Sequence, residues 1–175
     1  MNGAAKRWAE RAGGAIGTAL LVGVLVLMAG CSSVPQSSAP PVAAPQPAGR
    51  LTLEQANDVT VMAIGLVGTP YRYGGNTPAS GFDCSGLIGY VYKQRAAVVA
   101  PRSTAGLIDW GTSIPAPSLR TGDLVVFAQN GRATHAGIYV GEGRFVHAPS
   151  TGGTVRLDSL QSAYWAKQQV SYRRP

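Results

Sequence analysis

The sequence predicts an α+β domain, with N-terminal helices packed on an antiparallel β-sheet of about five or six strands. Apolar residues recur at helical spacing early in residues 51–175 and give way to short β-rich runs after residue 120. Those runs are separated by turn residues such as Asn130-Gly131 and Gly141-Glu142-Gly143. Helices first and strands after is the order of an α+β layout.

Each element has a local reason. Thr52-Leu53-Glu54-Gln55 reads as a capping box opening a helix to about Val67, ended by Gly68-Thr69-Pro70. The stretch from Tyr71 through Gly81, rich in Gly, Pro, Asn and Ser, reads as loop. Leu87, Ile88, Val91 and Tyr92 place a second helix from Cys84 to about Gln94, and a short third is expected around Ser103 to Trp110. Leu124–Phe127, His135–Val140, Arg144–His147, Thr154–Leu157 and Val170–Tyr172 read as strands.

The domain is preceded by two segments of other character. Residues 1–30 combine the basic Lys6, Arg7 and Arg11, an apolar run from Ala15 to Ala29 and small residues before Cys31, the pattern of an export signal. The run is short for a membrane span, which needs roughly 20 residues. Residues 31–50 are rich in Pro, Ala and Ser, carry no charge before Arg50, and read as a tether. Residues 51–175 suffice for one domain with its own core. Without residues 1–30, 12 basic and 7 acidic residues remain, a net charge of +5. That excess suits an anionic polymer or surface as well as plain solubility. No basic run with interleaved aromatics points to nucleic acid.

Chemistry concentrates at Cys84 and at His135 and His147, the chain's 2 histidines. A thiol becomes a useful nucleophile as thiolate, favoured by a nearby imidazole and by the positive end of a helix. Cys84 stands where the second helix begins. The bland alternative, a buried structural cysteine, fits poorly with its neighbours Asp83 and Ser85. With the tight turn at Gly141-Glu142-Gly143, His135 at the start of one strand and His147 at the end of the next form one hairpin. Their even spacing does not decide whether they share a face, because turn length matters. Asp83 and Ser85 could bind the charged ends of a peptide or could cap the helix. Cys84, His135 and His147 could ligate zinc, but no tight spacing supports it, and no metal or cofactor is expected.

Gly68-Thr69-Pro70-Tyr71-Arg72-Tyr73-Gly74-Gly75, Phe82-Asp83-Cys84-Ser85-Gly86-Leu87, Pro101-Arg102-Ser103-Thr104, Leu119–Phe127, His135–Gly141 and Phe145-Val146-His147-Ala148 stand in one order along the chain. Together they resemble the NlpC-type cell-wall cysteine peptidases, a papain-like family, and within it most closely the Spr-type (MepS) murein endopeptidase lipoproteins. The resemblance implies Cys84 as nucleophile holding an ion pair with the base His135. It implies His147 as the group that orients that base, and Tyr71 as the active-site tyrosine that helps hold an oxyanion. It implies peptidoglycan stem peptides or cross-links as substrate. Leu27-Met28-Ala29-Gly30-Cys31 resembles a lipoprotein lipobox. That implies cleavage before Cys31, a lipid on its sulfur and, with Ser32 following, an outer-membrane anchor facing the periplasm, or the cell membrane in a single-membrane organism. A lipidated Cys31 leaves Cys84 a free thiol, and the chain is expected to act as a monomer. The competing readings are a non-catalytic wall-binding or envelope lipoprotein and another thiol amidase or acyltransferase on the same scaffold. The intact Cys/His/His set argues against the first.

Overall fold

The computed structural model describes residues 49–150 and 153–175. The expected signal, Cys31 and nearly all of the tether lie outside the described residues.

Helix α1 (Leu53–Gly65) opens on the expected box: the Thr52 hydroxyl accepts from Gln55 N–H at 3.1 Å, and the Gln55 side chain accepts from Thr52 N–H at 2.9 Å. It ends at Gly65, short of the expected Val67. The stretch expected to be all loop contains a small antiparallel pair, β1 (Asn76–Thr77) and β2 (Gly81–Phe82), which sets the chain entering Cys84. Helix α2 (Cys84–Ala96) runs past Gln94 and stops where Ala97 turns left-handed at φ 54°. Helix α3 (Thr104–Leu107) is a single turn capped by Ser103.

The rest is one sheet. Strands β3 (Thr112–Ile114), β4 (Leu124–Gln129), β5 (Arg132–Gly141), β6 (Arg144–His147), β7 (Arg156–Ser159) and β8 (Gln169–Arg174) lie in the order β3-β8-β4-β5-β6-β7, all antiparallel. Strand β3 went unread because Thr-Ser-Ile is too short to show a period. Strand β7 starts at Arg156, because Thr154 instead bridges to Pro70. Strand β5 starts at Arg132, so His135 sits inside the strand.

Alternation sorts the sheet into two faces. Leu124, Val126, Ala136, Ile138 and Val146 meet Leu87, Ile88 and Val91 of α2 and Val59 and Ala63 of α1 in the main core. Each Leu, Ile or Val buried there contributes roughly 1.5–3 kcal/mol. On the opposite face Val125, Phe127 and Phe145 gather around Trp165. At one end of the sheet Arg174 forks onto Asp123, Nε to Oδ1 at 2.9 Å and Nη2 to Oδ2 at 2.8 Å, and Nη2 also donates to the Ser118 carbonyl at 2.6 Å.

Candidate active site

Cys84 is the first residue of α2, and Asp83 is its cap: Oδ1 accepts from Gly86 N–H at 2.7 Å. The other oxygen accepts from Gly74 N–H at 2.9 Å, tying the glycine loop to the helix start. The thiol is half-buried and unbonded to another cysteine. Burial pushes it up from its ordinary pKa, and Asp83 adds to this, against the pull of the backbone N–H groups of Ser85, Ala136 and Cys84 itself. Ala136 follows His135 directly, so the helix start touches β5 beside the histidine. Tyr71 shares with Cys84, Tyr73, Asp83, Arg102 and Thr134 a cleft of about 570 Å³. Burial, then the Cys84 and Asp83 charges, raise its phenol, which therefore stays protonated and able to donate.

Two irregularities in β5 place His135. Phe127 pairs with His135 but Ala128 pairs with Ala133, leaving Thr134 as an extra residue. Tyr139 pairs with Phe145 but Gly141 pairs with Arg144, leaving Val140 as another. Such bulges bend a strand and re-aim its side chains. The one at Val140 has a further effect. The Glu142-Gly143 turn, with both residues at positive φ, is a tight two-residue connection. Without the extra residue it would put His135 and His147 on opposite faces; with it they share the Phe145 face. His135 Nε2 meets His147 Nδ1 at 2.8 Å. Gly137 lies beside the pair for lack of room: a Cβ there would come within 2.7 Å of the Phe145 ring and 3.2 Å of His147 Cβ.

The environment keeps both rings neutral at pH 7. Burial drives His135 from 6.5 to about 3, with His147 and Arg156 adding to the shift and Asp158 opposing it. Burial likewise drives His147 to about 4, although Asp158 pulls upward. Desolvation thus works against the charged form of the thiol and of both imidazoles, so burial by itself does not favour the ion pair expected from sequence.

The sequence reading missed Asp158, Arg156 and Trp165. Fully buried His147 has its Nε2 3.0 Å from Asp158 Oδ2, a close approach off the axis of the ring N–H, which has no acceptor in line. The same oxygen accepts from Trp165 Nε1 at 2.8 Å and from Arg156 Nη2 at 2.9 Å. The Trp165 ring lies over His135 at 5.6 Å and edge-on to His147 at 5.3 Å. The available signal was strand parity. Arg156 pairs with His147 and Asp158 with Phe145, so a β7 carried on to Ser159 puts Asp158 on the histidine face.

For Asp83 and Ser85 the observed roles are structural. Ser85 is buried, its hydroxyl donating to the Arg102 carbonyl at 3.0 Å, and Arg102 forks onto Asp83 at 2.6 and 3.0 Å. The Arg102 guanidinium belongs to the wall of the cleft beside Cys84.

His135 lines a second cavity, with Trp165 and Arg156, that shares Thr134 with the Cys84 cleft. A thiol at a helix start, an oriented imidazole on the strand that the helix start touches, and hydroxyl and backbone N–H donors at the thiol are the parts that acyl transfer from an amide requires. Similar proteins have been described. The chain is 41% identical over 112 residues to the murein DD-endopeptidase MepH of Escherichia coli strain K12, covering 62% of this chain and 41% of that protein. It is 38% identical over 107 residues to the murein DD-endopeptidase MepS/murein LD-carboxypeptidase of the same strain, covering 61% and 56%. It thus spans only about half the length of these relatives. The crystal structure of the NlpC/p60 domain of the peptidoglycan hydrolase SagA superposes with a TM-score of 0.59 at 33% identity, over 66% of this chain and 96% of that one. With the NlpC/P60 family matched from residue 68 to 174, across the cysteine, both histidines and the whole sheet, the chain belongs to that family.

Proposed function

We propose that this protein is a peptidoglycan endopeptidase that cleaves stem-peptide or cross-link amide bonds with Cys84 as nucleophile, His135 as base and His147 as the orienting group. The observation that carries this is the His135–His147 hydrogen bond on the strand whose next residue, Ala136, directs its N–H to Cys84. With Nε2 of His135 held by His147, Nδ1 is the nitrogen left for the thiol. As sulfur attacks the carbonyl carbon, the thiol proton passes to His135 Nδ1. The oxyanion is received by the Cys84 N–H and the Tyr71 hydroxyl. Collapse breaks the C–N bond, His135 returns the proton to the leaving amine, and a thioester remains. Water then attacks the thioester, gives its proton to His135, and the thiol is restored as the acid leaves. The named relatives support the murein substrate.

The reading extends to the anchor: export, lipid on Cys31, the tether of residues 32–50, and an outer-membrane location, with the chain acting as a monomer. Cys31→Ala is then expected in the soluble fraction. A variant still in the membrane pellet points to an uncleaved apolar segment instead.

Mass spectrometry of fragments released from purified muropeptides tests the activity and names the bond. Cys84→Ser is expected to release nothing while melting like the wild type; His135→Ala is expected to release nothing at a lower Tm, because it removes the ring stacked on Trp165 and leaves His147 Nδ1 without its partner. His147→Gln keeps an acceptor for the base and is expected to retain more activity than His147→Ala. Wild-type hydrolysis by Cys84→Ser would end the thiol mechanism.

A further inference from the structure

We infer that Asp158 is a positioning residue that fixes the proton positions of both histidines, making the functional array Cys84, His135, His147 and Asp158 rather than the first three alone. The inference rests on the endopeptidase reading for its kinetic consequence, not for its structural one.

The geometry is regular. His135 on β5, His147 on β6 and Asp158 on β7 share one face and descend diagonally across adjacent strands. His147 pairs with Arg156, so Asp158 is its diagonal neighbour on one side; the β5–β6 register puts Gly137 opposite His147, so His135 is its diagonal neighbour on the other. Diagonal neighbours lie within reach of aromatic and long side chains. The contacts are His135 Nε2 to His147 Nδ1 at 2.8 Å and His147 Nε2 to Asp158 Oδ2 at 3.0 Å.

The proton count then has two self-consistent solutions, and Asp158 favours one. A neutral imidazole carries one N–H, and an ionised carboxylate only accepts. Burial works against the Asp158 charge, but the Trp165 indole N–H, His147 and Arg156 hold its carboxyl below the usual range. A carboxylate oxygen 3.0 Å from His147 Nε2, even off the ring N–H axis, attracts an N–H dipole and repels a bare lone pair, so it favours the proton of His147 on Nε2. Its Nδ1 is then a bare acceptor, which requires the proton of His135 on Nε2. That leaves His135 Nδ1 bare and able to take the thiol proton. Reversing His147 reverses the chain: Nδ1–H of His147 would meet Nε2 of His135, and His135 would present an N–H where the mechanism needs a lone pair. Two neutral histidines alone have no preference between these states. Asp158 supplies it, and Trp165 and Arg156 supply the donors that hold the carboxylate oxygen in place.

Nitrogen-15 imidazole spectra of the folded protein test this without any substrate. In the wild type, His147 is expected with Nε2 protonated and Nδ1 bare, and His135 likewise. Asp158→Ala is expected to mix or reverse the pattern and to lower kcat by between about tenfold and about 10⁴-fold, the upper figure being the cost of a wrong tautomer in a Ser-His-Asp triad. KM is expected to change little. Asp158→Asn is the rescue: Trp165 and Arg156 both demand an acceptor at the Oδ2 position, so the amide oxygen turns toward His147. The wild-type pattern and most of kcat should return. A proton on Nδ1 of His147 in the wild type overturns the inference, as does an Asp158→Ala spectrum and kcat identical to the wild type. A wild-type protein with the expected spectrum but no action on muropeptides would sink the endopeptidase reading and leave the tautomer assignment standing.

Discussion

Two arginine–aspartate forks in this molecule share their chemistry and differ in where they sit. Arg174 and Asp123 are 1% and 2% exposed and join the last strand to the turn before β4. Arg102 and Asp83 are 45% and 13% exposed and stand on the wall of the Cys84 cleft. In each, the guanidinium meets both carboxylate oxygens and a backbone carbonyl, Ser118 for one and Gly75 for the other. Burial converts the same fork into different things. The sealed pair is a registry device, costly to break because neither charge can find water. The open pair holds little of the fold in high dielectric, but it fixes the carboxylate that caps the helix beginning at Cys84.

The largest effect should come from breaking the sealed fork. Arg174→Met strands the Asp123 carboxylate and is expected to cost about 3–5 kcal/mol in urea unfolding. Activity per folded molecule should survive, since Asp123 lies far along the chain from Cys84 and lines none of its cleft. Replacing both members, Asp123→Leu with Arg174→Met, should recover much of the loss, because no unpaired charge then remains. A single variant within about 1 kcal/mol of wild type would show that the burial of the pair does not matter.

Acid sharpens the contrast by striking the functional side of the sheet. His135 and His147 titrate near 3 and 4 when folded, below their ordinary 6.5. The unfolded chain therefore binds protons that the native one refuses, and stability present above about pH 6.5 is lost as pH falls toward 4. Asp83 and Asp158, both held below the usual carboxylate range, add their loss only at still lower pH. The expected total is on the order of a few kcal/mol between pH 7 and 4, seen as a falling Tm. His147→Gln should flatten that slope. An unchanged slope in that variant would mean the histidines are not the groups refusing protons.

Gly137 tests a place where packing and site coincide. Alanine there presses on the Phe145 ring and His147 Cβ. A cost of roughly 1–3 kcal/mol is expected for such overpacking, together with lost activity as the ring of His147 shifts. Thermal melts and muropeptide assays on one preparation separate the two effects. A variant that loses activity alone would place the strain on the ring and not on the sheet.

What the residues declared in advance follows the same local-versus-distant divide. The Thr52 box, the α2 start at Cys84 and the apolar stripe through Leu87 and Val91 are written within a few positions of one another, and they were legible. So were Cys84, His135 and His147 as candidates, because their blocks carry a family's pattern. The shared face of the two histidines was not legible. It depends on one unpaired residue, Val140, and a one-residue change of register moves every side chain to the other face. Asp158 was invisible for a related reason: its strand was read as ending at Leu157, and its partners Trp165 and His147 come from other elements. The fork at Arg102 is likewise a contact between a loop and a helix cap, which no local period announces.

The smallest change in stability, and the most informative, is expected from that open fork. Arg102→Ala removes both bonds to Asp83 but leaves the Gly86 and Gly74 N–H groups on the carboxylate, so the cap survives and the cost should stay within about 1 kcal/mol. The cleft changes more. Arg102 also donates to the Ser85 hydroxyl at 2.6 Å and the Gly75 carbonyl at 3.1 Å, tying the glycine loop to the helix that presents Cys84. Without it, the loop is expected to loosen and kcat/KM on a defined muropeptide to fall by about tenfold or more, the scale on which slight misplacement of reacting groups acts. Arg102→Lys should not rescue this, because a single ammonium cannot make two parallel bonds to one carboxylate. The two forks differ as burial says only if Arg102→Ala separates activity from stability. A Tm loss matching that of Arg174→Met would place both forks among the fold's own fastenings.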